Sequence, residues 1–189
     1  MTRTKPGWQR RSDLLDAAES LVLAHGVDSL KIDDVTNGAS VAKGTFYLHF
    51  ASKEDLIEGL RERYVERFVR RQREAAAAAT GIERVEVWLL AGVTEYLSDT
   101  RLHDVLFRHS SSEAPRPNLA VEALRELLEE VEADVPDPGA TAAILYHAMH
   151  GTADHILHIP QDRQRMLDEA VRLCRVLLGH GDATQNLQT

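Results

Sequence analysis

Four polar side chains in one short segment of the sequence can all hydrogen-bond to a DNA duplex: Lys43, Thr45, Tyr47 and His49. A lysine donates to guanine O6 or N7 or to a phosphate, and hydroxyl and imidazole groups donate to phosphate oxygens. Gly44 has no side chain and permits the close approach of a DNA backbone or of a neighbouring helix. The segment therefore predicts a surface that binds nucleic acid.

Other cations extend this surface on both sides of the segment. Lys53 lies in the first turn of the next predicted helix, where its charge adds to a helix N-terminus that attracts phosphate. Lys31 precedes the segment, and a basic N-terminal arm can follow the DNA backbone or enter the minor groove. The arm contains Arg3, Lys5, Arg10 and Arg11.

Three predicted helices position these groups as a helix-turn-helix. Apolar residues recur at helical spacing over residues 8–25, and Ile32–Gly38 forms a second helix with acidic residues in its first turn. Residues 39–41 form a turn, and residues 42–48 form a third helix that places Phe46 inward and its polar groups outward. Ser52, followed by Asp55, resembles a capping box that opens a long helix running to about residue 79.

The remainder of the chain also has helical periodicity, and little of it is typical of strands. Proline, serine and glycine residues mark the stops between helices, including a loop over residues 110–117. The fold class is therefore all-α with about nine helices. The predicted domains are 1–53, the DNA-binding domain, and 54–189, an effector-binding and dimerisation domain. The later helices are expected at 83–98, 101–109, 118–133, 139–158 and 161–179.

The charge distribution is compatible with DNA binding at one end of the molecule. The net charge is −8, but residues 1–53 contain seven Lys or Arg and six Asp or Glu, a balance of +1. All four lysines lie in that segment. A near-neutral end with clustered cations on an acidic body suits a protein whose one end meets phosphates.

Composition also indicates a cytoplasmic protein without a membrane partner. No apolar run is long enough to span a bilayer, and Met1–Arg11 is polar and basic, unlike a secretory signal. Cys174, the single cysteine, has apolar neighbours and is expected to be a buried thiol in a reducing compartment.

The ordered pattern in residues 10–60 resembles the TetR family of one-component bacterial transcriptional regulators. That resemblance implies a homodimer whose last two helices pair between subunits in a four-helix bundle. It also implies a ligand pocket in the C-terminal domain whose occupancy changes the spacing of the two DNA-reading heads. The residues that fall on the family pattern are Gly26, Ala39, Val41, Lys43, Gly44, Thr45, Tyr47, His49, Phe50, Ser52, Lys53 and Leu56.

Four positions depart from the family pattern and put the operator sequence in doubt. Lys31 stands where the family usually has a Thr or Ser that caps the second helix, and the missing cap is expected to cost about 1 kcal/mol of stability. Ser40 replaces the usual turn glycine, and Ala42 replaces a polar residue that opens the third helix. Asp33 is acidic where some members carry a base-contacting cation.

Histidines in the C-terminal half suggest a second kind of site. His147, His150, Asp154 and His158 share one face of the helix predicted over 139–158. Imidazoles and a carboxylate can bind a divalent metal such as zinc, but this spacing needs a partner helix or subunit to complete the coordination. The favoured alternative is a polar dimer seam or pocket lining.

The effector is expected to be a small apolar or aromatic molecule held by aromatic and sulfur-containing side chains of the C-terminal domain. Each of these residues has simple core packing as its alternative role. The residues predicted to bind ligand are Trp88, Tyr96, Phe107, Tyr146, His147, Met149 and His150.

The sequence as a whole predicts a ligand-responsive DNA-binding regulator, a repressor released from its operator by a small molecule. No catalytic constellation or cofactor motif is present, so neither an enzyme nor a cofactor is expected. Two alternatives stay open: a helical metal-binding protein or metalloenzyme that uses the histidine stripe, and a helical binding protein that has lost DNA recognition.

Overall fold

The computed structural model describes residues 6–107 and 118–179. Over these ranges it contains nine α-helices, one short 3-10 helix and no strand, which confirms the predicted all-α class. The helices are α1 Gly7–His25, α2 Ile32–Gly38, α3 Lys43–Phe46, α4 Lys53–Ala76, α5 Glu83–Ser98, α6 Thr100–Phe107, α7 Leu119–Glu130, α8 Pro138–His158 and α9 Arg163–Gly179, with the 3-10 helix at Pro160–Asp162. Arg3, Lys5 and the loop predicted over 110–117 lie outside the described residues.

Four helices are shorter than predicted: α7 is Leu119–Glu130 rather than 118–133, α9 begins at Arg163 rather than at residue 161, and α3 and α4 end early. The helix expected over 42–48 is limited to α3, because the backbone turns after Phe46 and the next three residues form a hydrogen-bonded turn. The helix expected to reach residue 79 ends at Ala76, the last buried alanine of its run. Residues 77 and 78 are exposed and gain no tertiary packing that would extend the helix.

The described residues pack as two compact units. The first comprises residues 6–64 and 100–107, and the second comprises residues 65–99 and 118–179. This division falls inside α4 and assigns α6 to the first unit. The domain boundary predicted between residues 53 and 54 stays a prediction.

The first unit has buried apolar residues on α1 to α4 and on α6. Leu14 and Val22 of α1, Val35 of α2 and Phe46 of α3 are completely buried. Arg63 of α4 fixes the outside of this core by donating to the carboxylates of Asp16 and Glu19 of α1, each at 2.6 Å. Buried apolar packing and these ion pairs therefore hold the helices of the helix-turn-helix region in place.

The second unit is built around Trp88, which is fully buried among α4, α5, α7, α8 and α9. Gln72, also fully buried, donates from Nε2 to the Trp88 carbonyl oxygen at 3.2 Å and approaches the Met149 sulfur at 3.5 Å. Cys174 is buried here as predicted, and desolvation raises the pKa of its thiol to about 12. Among the described helices, none combines the length and apolar character needed to cross a membrane.

Candidate nucleic-acid interface and effector cavity

Two capping hydrogen bonds fix the start of α4 and thereby the position of Lys53. The Ser52 hydroxyl accepts from the Asp55 backbone N–H at 3.2 Å, and the Asp55 carboxylate accepts from the Ala51 backbone N–H at 2.8 Å. This reciprocal pair confirms the predicted capping box, with its second bond made one residue earlier than in the usual motif. Lys53 is the first residue of α4, at the positive end of the helix dipole.

The turn between α2 and α3 depends on a left-handed residue. Ser40 has a φ of +54°, a region in which residues other than glycine pay a conformational cost. The Ser40 N–H donates to the Asn37 carbonyl at 3.1 Å, and the Val41 N–H donates to the Thr36 carbonyl at 3.0 Å. The helix-turn-helix geometry therefore forms without the usual glycine, and these two backbone hydrogen bonds close the turn.

Two phenylalanines anchor the segment that carries the predicted DNA-binding groups. Phe46 and Phe50 are buried, and the Phe46 carbonyl accepts from the backbone N–H groups of His49 and Phe50, both at 2.9 Å. The resulting turn leaves half of Tyr47 exposed, with its ring edge-to-face against Phe46 at 5.2 Å. Tyr47 and His49 thus lie on a turn that follows α3, which corrects the prediction that they lie on the helix.

Gly44 has no packing role within the described residues. It is exposed, it lies in the middle of α3, and a Cβ built on it would meet no heavy atom within 4 Å. Its φ is not positive, so no left-handed backbone requires glycine here. The bare surface at Gly44 therefore lies open between the exposed side chain of Lys43 and the half-buried side chain of Thr45.

Two of the predicted DNA-binding cations, Lys43 and Lys53, have intramolecular partners in the structure. Lys43 Nζ lies 2.7 Å from Asp33 Oδ1, and this hydrogen bond is the main cause that raises the pKa of Lys43. Lys53 Nζ donates to the Asp28 carbonyl at 3.0 Å. These contacts are exposed to solvent, where a phosphate can compete for the ammonium group.

Arg11 and Lys31 differ in the side-chain contacts that the structure gives them. The Arg11 guanidinium lies over the Phe50 ring at 5.1 Å and 3.9 Å from the Glu62 carboxylate. Lys31 is exposed at the N-cap of α2, and no side-chain hydrogen bond caps that helix. The absent cap agrees with the departure noted in the sequence.

Two large apolar side chains of the first unit, which were not among the predicted site residues, are strongly exposed. Trp8, in the first turn of α1, has 76% of its surface exposed, and Leu48, beside Tyr47, has 77%. Gly7, next to Trp8, is close to His49, since a Cβ at Gly7 would lie 3.9 Å from His49 Cε1. The sequence signal for the exposure of Trp8 was its position within a polar N-terminal segment.

A small cavity in the second unit is bordered by Trp88. Its volume is about 140 Å³. Its charged rim is made by Arg73 and Arg84, which form ion pairs at 2.7 Å with Glu126 and at 3.0 Å with Glu130. The lining residues are Arg73, Ala76, Arg84, Trp88, Ala123, Leu127 and Glu130.

The remaining residues predicted to bind ligand are distributed over several places. Tyr96, Tyr146 and His150 pack together, with ring centroids 5.3 Å apart for Tyr96–His150 and 4.5 Å for Tyr146–His150. Desolvation raises the pKa of the Tyr146 hydroxyl. Met149 is buried against Gln72.

Phe107 lies apart from that aromatic cluster, whereas the His147 ring lies edge-to-face against the Tyr146 ring, with the centroids 5.5 Å apart. Phe107 belongs to the first unit, where its ring lies 5.7 Å from the ring of Tyr64. His147 is exposed, and its Nδ1 is bonded to the Ala143 carbonyl of its own helix at 2.7 Å.

The histidine stripe of α8 does not form a metal site. His158 Nδ1 is bonded to the Asp154 carbonyl at 2.8 Å, and His150 faces the aromatic rings of Tyr96 and Tyr146. Within the part of the chain that the structure describes, no group of three or more His, Cys, Asp or Glu residues is arranged to hold a metal ion. The metal-binding alternative is therefore unsupported, because residues on one helical face turn toward different partners.

Comparison with known proteins places the N-terminal segment in a known family. Residues 14–60 match the family described as "Bacterial regulatory proteins, tetR family". Over 83 residues the chain is 29% identical to the HTH-type transcriptional repressor KstR2 of Mycobacterium tuberculosis, a match that covers 43% of this chain and 42% of that protein. It is 32% identical over 75 residues to the HTH-type transcriptional activator FasR of Mycolicibacterium smegmatis, covering 40% of this chain and 34% of FasR. The matches thus span less than half the length of these relatives.

Solved structures resemble the chain over nearly its whole length. The fatty acid degradation regulator FadR from Bacillus halodurans superposes with a TM-score of 0.63 at 19% sequence identity, covering 92% of this chain and 96% of FadR. At that identity the likeness establishes a shared fold. The helical C-terminal part therefore has the same architecture as that regulator.

Proposed function

From the match of residues 14–60 to the tetR family of bacterial regulatory proteins, we propose that the chain is a member of that family and a cytoplasmic DNA-binding transcriptional regulator. It contacts its operator through α3 and the turn after it. The observation that carries this proposal is the bare, exposed surface at Gly44, which the chain's own packing does not require. Exposed groups able to bind phosphates and base edges surround it, including Lys43 and Tyr47.

Tyr47→Ala and Lys53→Ala test this interface. Each substitution removes a hydrogen bond to a charged or polar DNA group, and we expect each to weaken DNA binding by roughly tenfold. Lys53→Ala is also expected to make the plot of log affinity against log salt shallower by about 0.9, the value for one phosphate contact. The measurement is fluorescence anisotropy with a labelled duplex from the region flanking this protein's own gene, titrated at two salt concentrations beside a scrambled duplex.

Arg70→Ala is the matched control for the lost positive charge. Arg70 is an exposed residue of α4 in the second unit and forms an ion pair with Glu74. Its loss is expected to leave DNA affinity nearly unchanged. Unchanged affinity in both Tyr47→Ala and Lys53→Ala would contradict the proposed interface.

A homodimer is part of the proposed function. Four apolar side chains of α8 and α9 are exposed in the isolated chain: Ile144, Leu157, Leu173 and Val176. Exposed apolar residues on two long helices support burial against a second copy of the chain. A two-fold dimer would present two reading heads to half-sites about one helical turn apart.

The proposed effector is a small apolar or aromatic molecule bound in the second unit. The cavity beside Trp88 has a volume of about 140 Å³, close to the roughly 150 Å³ that holds benzene. Its lining combines apolar residues, including Trp88 and Leu127, with the charged side chains of its rim. The proposed ligand-binding residues near it or in the same core are Trp88, Tyr96, Tyr146, Met149 and His150. A ligand that favours one arrangement of the dimer lowers operator affinity by population shift and thereby releases the repressor.

A further inference from the structure

The ion pair between Lys43 and Asp33 joins the first turns of α2 and α3 at the proposed DNA-binding surface. The Lys43 ammonium lies 2.7 Å from the Asp33 carboxylate. Both side chains are exposed, Lys43 to 56% and Asp33 to 66%, so neither is held by burial. The pair therefore stands where a DNA duplex would meet both charges.

An internal counter-charge changes what Lys43 can contribute to DNA binding. A free lysine that neutralises a phosphate releases condensed counterions, which is the main source of sequence-independent affinity. Lys43 is already neutralised by Asp33, so this gain is small unless the pair separates. Asp33 is in addition a negative charge that phosphates repel. The pair thus opposes binding to DNA of arbitrary sequence.

The major-groove edge of a G·C base pair offers a partner to each member of the ion pair. Guanine presents O6 and N7 as acceptors, which suit the Lys43 ammonium, and cytosine presents its N4 amino group as a donor, which suits the Asp33 carboxylate. Separation of the pair is inexpensive because exposed ion pairs contribute little to stability. A G·C pair can therefore replace the internal contact of both charges at once.

We propose that Asp33 is a specificity-determining residue, which holds Lys43 away from phosphates and releases it at a G·C base pair of the operator. This inference rests on the proposed function of the chain as a DNA-binding regulator. It is an instance of specificity achieved through a repulsive element as well as an attractive one. Helix stabilisation alone does not explain the arrangement, since the next residue, Asp34, gives α2 the same favourable charge in its first turn.

Asp34 provides the matched control for a test by substitution. Asp33→Asn and Asp34→Asn remove the same charge from adjacent exposed positions of α2, but only the first frees Lys43. The variants are compared with the wild type, with Lys43→Met and with the double variant Asp33→Asn/Lys43→Met. Anisotropy with a labelled duplex of mixed sequence, titrated over a series of salt concentrations, gives affinity and salt slope for each.

Asp33→Asn is expected to bind the mixed-sequence duplex about two- to fivefold more tightly than Asp34→Asn does. Its plot of log affinity against log salt is expected to be steeper by about 0.9, the value for one additional phosphate contact. The double variant is expected to lose both gains, because the freed lysine is absent. Selection of binding sites from a random duplex pool should yield a fixed G·C position for the wild type that Asp33→Asn relaxes.

Two results would overturn the inference in distinguishable ways. Equal affinity and equal salt slope for Asp33→Asn and Asp34→Asn would refute the role of Asp33. The proposed function would still stand in that case, provided that the wild type binds DNA in a salt-dependent way. Absence of salt-dependent binding to every duplex by the wild type would refute the proposed function, and the role of Asp33 with it.

Discussion

Gly44 and Gly92 are both glycines in the middle of helices, one in each unit, and they have opposite surroundings. At Gly92 in α5, an added Cβ would collide with the Met149 sulfur and with Gln72 Nε2. At Gly44 in α3, an added Cβ would meet nothing within 4 Å. Glycine weakens a helix at both positions by roughly 1 kcal/mol relative to alanine. In the second unit, the absence of a side chain at Gly92 lets Met149 and Gln72 pack against α5. In the first unit, no described residue packs against Gly44.

This difference separates two reasons for the same residue type. Gly92 is explained by packing inside the chain, where α4, α5 and α8 meet around a fully buried Gln72. Gly44 is unexplained by packing among the described residues, and the proposed interface would give it a reason in the DNA backbone that approaches there. Packing thus accounts for the glycine of the second unit, and the proposed partner accounts for the glycine of the first.

The largest expected effect is that of Gly92→Ala. Inserting a methyl group against the ends of two fully packed side chains is expected to lower the free energy of unfolding of the second unit by about 2 kcal/mol, because both flexible side chains must shift within the core. The Cys174 thiol reports on that unit, since burial keeps it protonated and shielded. Its rate of reaction with an aromatic disulfide reagent, together with urea unfolding, is the measurement.

Gly151→Ala is the control in the same unit. Gly151 lies in α8, is exposed, and has no heavy atom within 4 Å of an added Cβ. Its substitution is expected to leave the Cys174 reaction rate unchanged. An equal acceleration in both variants would show that helix glycines in this unit are alike and would remove the contrast.

Gly44→Ala is expected to have the opposite combination of effects. Alanine is the better helix former, so the stability of the first unit should be unchanged or increase by up to about 1 kcal/mol. DNA affinity should fall by roughly tenfold, because the methyl group occupies the space into which the DNA backbone would move. Thermal unfolding and anisotropy on the same preparation separate the two effects. Full DNA affinity in Gly44→Ala would mean that the vacant space has no partner.

Side-chain placement was more predictable from sequence in the first unit than in the second, because the signals that decide it there are local. The capping box at Ser52, the helix bounds of α2 and the inward Phe46 all follow from residues within one or two turns of each other. The prediction of a longer third helix was wrong because the Phe46 carbonyl accepts from two following N–H groups and closes a turn. Periodicity cannot distinguish a helix of four residues followed by a turn from a helix of seven.

The second unit depends on contacts between residues far apart in the chain. The requirement for glycine at position 92 arises from Gln72 and Met149, which no spacing rule connects to it. The histidine stripe of α8 illustrates the same limit, since a shared helical face does not determine which partner each ring meets. His150 meets aromatic rings, whereas His158 bonds to its own helix.

The Lys43–Asp33 pair shows that even the first unit has contacts that sequence alone does not give. The two residues lie on different short helices, and their proximity depends on the turn that reverses the chain between them. From the sequence, Asp33 was a departure that put the operator sequence in doubt. In the structure it is the partner of the lysine that was predicted to bind DNA.

Ser40→Gly is expected to have the smallest effect and refines the comparison by isolating the backbone. Ser40 is left-handed, with a φ of +54° and no helix around it, so glycine there should relieve strain and raise the stability of the first unit by about 0.5 to 1 kcal/mol. Ala39→Gly is the control, because Ala39 is right-handed with a φ of −79° and glycine there should destabilise by a similar amount. Thermal unfolding of both variants measures the difference, and a gain at both positions would contradict the assignment of strain to Ser40. If the signs are opposite, backbone angle sets the preference for glycine at position 40, a third reason beside the internal packing at Gly92 and the space proposed for DNA at Gly44.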